Sequence, residues 1–198
     1  MNASAWIDRS CFRLVAAALC GALSLLAGCE PGPLPVRLEN RAAPLGPVAA
    51  ERTELTLLPV LDERPREEVG AGEEIRLGGA VVTRDSLTAW VEAEVRRQLG
   101  GRFRLVAAGA SPAQGLALRV RVVNCYARPI RGQVSAQVVL QVEWLEGVEV
   151  RQRETVRGQR VGAIWWSAQP EVGSALRWAL EHAVSQLHAP GDAPAGRE

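Results

Sequence analysis

Few groups in this 198-residue chain could carry chemistry: four cysteines, two histidines, some adjacent glutamates and one serine beside a proline. His182 and His188 stand six positions apart, so they do not meet across one helical turn, and no cysteine joins them at zinc-ligand spacing. Glu67-Glu68 and Glu73-Glu74 are paired acids, but they sit in a Gly-rich stretch. Such a stretch is poor at holding two carboxylates at the fixed separation that acid–base work needs. Ser111 lies in Gly109-Ala110-Ser111-Pro112, which is not a nucleophile elbow, and Pro112 removes the following N–H donor. No lysine occurs, so no Gly-rich phosphate loop ending in lysine exists. The expectation is a non-enzymatic protein with no catalytic residue, no metal and no cofactor.

The cysteine with the clearest chemical setting is Cys29. Arg9 and Arg13, diluted by Asp8, flank an apolar run from Leu14 to Ala27 that ends in small residues. This run is shorter than the roughly 20 residues a spanning helix needs, and has the parts of a secretory signal. A cysteine directly after Leu26-Ala27-Gly28 resembles the lipobox of bacterial lipoproteins. The resemblance implies that the Cys29 thiol takes a diacylglycerol, the chain is cut before it, and the new amine is acylated. Each buried CH2 contributes about 0.8 kcal/mol, so several chains hold a protein firmly. By the same resemblance to bacterial lipoproteins and their sorting, Glu30 in place of Asp implies the outer membrane over retention at the inner one, with the domain facing the periplasm. Residues 1–28 leave with Cys11 and Cys20, and Cys125 then has no internal disulfide partner. Its place within an apolar strand pattern predicts a buried structural thiol.

Net charge is +1 for the whole chain, and Arg9, Arg13 and Asp8 supply that surplus, so the processed chain is near neutral. A polyanion partner such as nucleic acid is not expected. Every base other than histidine is arginine, which brings planar multi-donor chemistry. Two sets of residues are candidates for partner binding. The aromatic set is Trp165, Trp166 and Trp178. Neighbours on a strand face opposite sides, so one of Trp165 and Trp166 points outward, and Trp is enriched at binding hot spots. The second set is Arg119, Arg121, Arg151 and Arg153, on the polar face of alternating strands. They would suit a carboxylate- or phosphate-bearing partner such as cell wall or lipopolysaccharide.

The elements that must position these groups follow from periodicity. Residues 29–50, with Pro31, Pro33, Pro35, Pro44 and Pro47, read as a Pro-rich spacer reaching some tens of ångströms. The globular domain is expected over 51–187 and a disordered tail over 188–198. A first strand covers Glu54–Leu61, and a charged loop covers Asp62–Asp85, with a short strand at Ala80-Val81-Val82. Asp85 or Ser86 caps a helix whose Leu87, Val91, Val95 and Leu99 form one face, and Gly100-Gly101 ends it in the left-handed conformation. A strand follows at Phe103–Ala107. Period-two alternation from Leu116 to Trp166 predicts a three-stranded meander, with a turn or short loop at Arg128–Gly132, a turn at Glu146-Gly147 and bulges at Gly158 and Gly162. A second helix starts near Pro170, with Val172, Leu176, Ala179, Leu180, Ala183, Val184 and Leu187 as its apolar stripe.

The fold class expected is α+β, a two-layer sandwich of a mainly antiparallel sheet with two amphipathic helices on one face. Asp62-x-Arg64 after the first strand, Asn124-x-Tyr126 and Arg157-Gly158 resemble landmarks of the YajG-type lipoproteins, over residues 55–187. That resemblance implies an α+β domain on an outer-membrane lipid anchor. The expected function is a lipid-anchored, periplasm-facing envelope lipoprotein that serves as a non-enzymatic accessory or docking subunit of an outer-membrane or cell-wall complex. Its partners are then the membrane, through the N-terminal lipid, and an envelope protein. The alternative is a glycan- or lipid-binding module using a groove between helices and sheet.

Overall fold

A computed structural model describes residues 32–40, 52–65, 75–78, 80–107, 115–164 and 167–191. The signal 1–28, the lipobox Leu26–Cys29, Trp165 and Trp166 lie outside the described residues, as do Glu67-Glu68, Glu73-Glu74, Ser111 and residues 192–198. The described residues from Pro33 onward form one compact unit.

The alternating stretch folds as three long strands, β7 (Leu116–Ile130), β8 (Gln133–Glu146) and β9 (Glu149–Ala163), paired antiparallel in sequence order. Arg131 and Gly132 both take positive φ, at 41° and 79°, and close the β7–β8 hairpin in two residues. This twist suits a right-handed ribbon, and of the expected turn or short loop over 128–132 it is the turn, at its last two residues, that forms. Pro129 stays inside β7. Two residues earlier, the Ala127 N–H donates to Leu77 O on the side away from β8, so by alternation the missing Pro129 donor also faces away from β8. A register shift between Val122 and Asn124 leaves Val123 as an extra residue. The apolar face therefore continues from Val122 to Cys125 and Ala127, all buried.

The remaining strands make this sheet mixed. Parallel to β7 run β2 (Glu54–Leu57) and β3 (Leu61–Asp62), and β6 (Arg104–Ala107) lies parallel to β2 on its other side. The order is β6-β2-β7-β8-β9, with β3 beside β7. The α+β class holds, but the expectation of a mainly antiparallel sheet is corrected. The sequence between Leu57 and Arg104 contains a helix, and a helical crossover permits parallel pairing.

A second sheet was not expected. β1 (Leu34–Pro35) pairs parallel with β5 (Val81–Thr83), which pairs antiparallel with β4 (Ile75–Arg76). Residues 33–40 therefore do not act as part of a solvated spacer. Val36 is buried, Leu34 and Leu38 pack on the core, and Leu38 N–H donates to Asp85 Oδ2 at 2.7 Å. Asn40 Nδ2 donates to Trp90 O at 3.0 Å. The prolines protect a sheet edge here, since Pro33 and Pro35 have no N–H to leave unpaired.

Helix α1 (Leu87–Leu99) is capped by Ser86, whose side chain accepts from Ala89 N. It ends at Gly100 with φ −59°, a right-handed residue, so the expected left-handed cap is absent there. Helix α2 (Ala168–Ser185) follows Ser167, which makes no side-chain cap bond. The buried faces of both helices and the even-numbered residues Val134 to Trp144 of β8 share one hydrophobic cluster. Gly158 is in register opposite Val138 and does not bulge. Helix α2 crosses closely there, because a Cβ would lie 1.7 Å from Ala179 O.

The three landmarks have structural roles. Arg64 is buried and donates through Nε and Nη2 to Asp62 at 2.9 and 2.8 Å, and through Nη1 to Arg76 O at 2.7 Å, tying β3 to β4. Tyr126 lies against Gly78, whose φ is 96° and where a Cβ would meet the ring at 2.2 Å. Gly158 admits α2.

Candidate partner-binding site

The cross-strand register assembles a charged cluster on the face of β7–β9 away from α2. Arg119 of β7 and Arg153 of β9 both stand opposite Glu143 of β8. Glu143 is only 2 % exposed. Arg119 Nη1 donates to its Oε2 at 2.9 Å, and Arg153 Nε and Nη2 reach its Oε1 at 2.9 and 2.7 Å. Arg121 Nη2 lies 3.5 Å from Oε2, and its Nη1 lies 3.4 Å from Glu63 Oε1. Burial by itself would raise the Glu143 pKa. Hydrogen bonds from Arg153 and Arg119, with the charge of Arg121, outweigh it and hold the carboxyl below its usual value. One carboxylate thus fixes three guanidiniums, and most of their donors remain beyond what its two oxygens can accept.

Arg151 does not join this group. A register shift between Trp144 and Leu145 leaves it out of the pairing, and it binds Glu146 at 2.8 Å instead. The expected row of four arginines is therefore a cluster of three, with Arg151 apart. The sequence pointed to the arginines of this face but not to the carboxylate at their centre. The available signal was its position, midway along a strand whose two neighbours both carry arginines.

Trp178 is 37 % exposed on α2. Its ring stacks on His182 at 5.0 Å and 29°, one turn along, and Arg160 Cζ sits 5.1 Å from the ring centroid. His182 is therefore part of an aromatic stack. The other two described tryptophans are internal: Trp144 is fully buried and its Nε1 donates to Glu154 Oε1 at 2.9 Å, while Trp90, on the buried face of α1, donates through Nε1 to Glu39 O at 3.4 Å. Cys125 is buried, and burial pushes its pKa up to about 12, so it is an unreactive thiol.

Two open grooves adjoin the N-terminal segment. One, of about 760 Å³, runs along Val36, Leu38, Val82 and Asp85; the other, of about 480 Å³, lies between Arg37 and the start of α2 at Pro170 and Gly173. Neither matches the expected groove between helices and sheet. Among the described residues no group of His, Cys, Asp and Glu could hold a metal ion, and no helix is long and apolar enough to cross a membrane.

No family model and no curated protein matches this chain. Solved structures do. Protein XCC0632 from Xanthomonas campestris, of the DUF330 family, has 14% identity and a TM-score of 0.51, covering 77% of this chain and 89% of its own. The PelC dodecamer protein from Paraburkholderia phytofirmans has 14% identity and a TM-score of 0.42, covering 73% and 95%. A minor lipoprotein from Acinetobacter baumannii has 12% identity and a TM-score of 0.40, covering 68% and 88%. The first likeness is one of fold alone, and the other two are looser.

Proposed function

We propose that this protein is a lipid-anchored envelope lipoprotein of the outer membrane, facing the periplasm, which serves as a non-enzymatic docking subunit. The anchor reading rests on Leu26-Ala27-Gly28-Cys29 behind a short apolar run, and the outer-membrane reading on Glu30. One observation carries the docking role. Leu34 N–H is hydrogen-bonded to Ala80 O, so the fold begins five positions after Cys29. An extended chain spans at most about 3.6 Å per residue, which limits that separation to about 18 Å. A lipid on Cys29 would hold this domain beside the bilayer, within reach of other proteins anchored there.

Replacing Cys29 with alanine tests the anchor. Membrane fractionation and mass spectrometry of the N-terminus should show an unacylated protein that is released or left as precursor. Acylation and retention unchanged from wild type would sink the reading. The docking role is tested by crosslinking in membranes: Trp178→Ala should weaken recovery of a specific partner while the melting temperature is kept. A second reading, a small-ligand module, is favoured by the groove along Val36 and Val82. A glycan or lipid co-purifying in that groove, with no protein crosslink, would select it.

A further inference from the structure

The arginine cluster on the β7–β9 face has features that a merely solvated sheet face does not need. Its guanidiniums are held in place by Glu143, which is buried, although the Arg153 side chain is 60% exposed. Arg119 and Arg121 side chains are 34% and 26% exposed, so their free donors lie recessed in the face. The Arg121 Nε is buried with no hydrogen-bond partner among the described residues, and so is Asn124 Oδ1. A buried donor without a partner costs about 1–3 kcal/mol, so the cluster is not at its most stable arrangement within the fold. Arg157 extends the same face, opposite Val139, which pairs with Asn124, and Gln141 and Thr155 lie between. Against these bases stand Glu143 and Glu63, so the face keeps a positive surplus.

We infer that this face docks an extended acidic segment of a protein partner, with carboxylates at alternate positions. The inference rests on the docking role proposed above and gives the partner its chemistry. Arg119 and Arg121 are two residues apart on one strand, about 6.6 Å at strand spacing. That is the repeat of side chains on one face of an extended peptide, so successive carboxylates at i and i+2 meet successive guanidiniums. Carboxylates also match the planar donor fork of arginine. A bilayer surface is the poorer fit, because headgroups in a fluid plane do not reach recessed, laterally fixed donors. Glu143 is an internal stand-in for the partner: it orders the guanidiniums and competes for them.

The test uses the purified full chain in detergent, so that it does not depend on anchoring. A labelled peptide alternating Glu and Thr is compared, by fluorescence anisotropy, with a peptide of the same composition whose glutamates form one block. The alternating peptide should bind tighter, and binding should weaken as salt rises. Arg119→Gln with Arg153→Gln should lower affinity about tenfold or more, as expected for lost charge-assisted hydrogen bonds. Glu143→Gln should strengthen it several-fold, because donors are released and a negative charge is removed. A purely structural cluster would show no gain in binding in that variant. Should the double variant fail to fold, Arg157→Gln, at an exposed position, takes its place and should weaken binding about threefold. Equal binding of both peptides, no change in the arginine variants, or binding to phosphatidylglycerol vesicles or inorganic phosphate only would overturn the inference. Because these readings are independent of Cys29, a failed Cys29→Ala test and a failed peptide test are separate results.

Discussion

The face of β7–β9 that meets α2 and the face that carries Glu143 are made by alternate residues of the same three strands, yet they are held in different ways. On the first, Val120, Leu140, Val142 and Trp144 are fully buried and share one cluster with both helices. Its stabilisation is apolar area removed from water, about 25 cal/mol per Å², and does not depend on the direction of any one contact. On the second face a buried carboxylate is tied to three arginines that are partly in solvent. Ion pairs of this kind contribute little net stability, because solvent screens the exposed partners. What they supply is direction: each guanidinium has a defined place. The apolar face therefore sets whether the domain folds, and the charged face sets what it presents.

That contrast can be broken in order of effect. Leu140→Ala, in the middle of the apolar face, should cost about 2–5 kcal/mol, read as a lowered urea midpoint at unchanged slope. A cost below about 1 kcal/mol would mean that this face is loosely packed. Gly158→Ala adds one methyl where Ala179 O already lies, and α2 must shift. The expected cost is near the upper end of about 1–3 kcal/mol for overpacking. An unchanged melting temperature would show that the helix does not cross there.

On the charged face Glu143→Gln should cost about 1 kcal/mol, since its hydrogen bonds to charged groups weaken but the arginines are partly hydrated. Its pH dependence sharpens the contrast. The folded-state pKa of Glu143 is lowered, so its contribution is complete above the unfolded value, near 4.3, and is lost as pH falls through the folded value. Wild type should therefore lose more stability than Glu143→Gln between about pH 5 and pH 3. Parallel stability–pH curves for the two proteins would remove Glu143 from its central role.

Much of the chain from Leu87 onward was legible. The alternation Val134, Ala136, Val138, Leu140, Val142, Trp144 gave β8, and the four-residue repeat from Leu87 to Leu99 gave α1. Trp178, placed off the apolar stripe, is exposed. The chain before Leu87 was read less well. Pro33 and Pro35 suggested a spacer, because proline disfavours central strands, but β1 is an edge strand and tolerates them. The parallel strands β2, β3 and β6 are short, and nothing within four residues of sequence says which neighbour each will take. Arg151 was grouped with Arg119, Arg121 and Arg153 because strict alternation was assumed, and the shift beside Trp144 removes it from their row.

By itself, then, the sequence determined the local periods of strands and helices, the apolar faces they require, and a cysteine placed as a lipid acceptor would be. These depend on residues two to four positions apart, or on one short motif. Only the tertiary structure decided that β1 closes a second sheet, that the main sheet is mixed, that Gly158 lies under Ala179, and that Glu143 stands between Arg119 and Arg153. Each of these is a pairing across many residues. Register and partner choice depend on turn geometry, bulges and the shared core, and those are settled only when the whole chain packs.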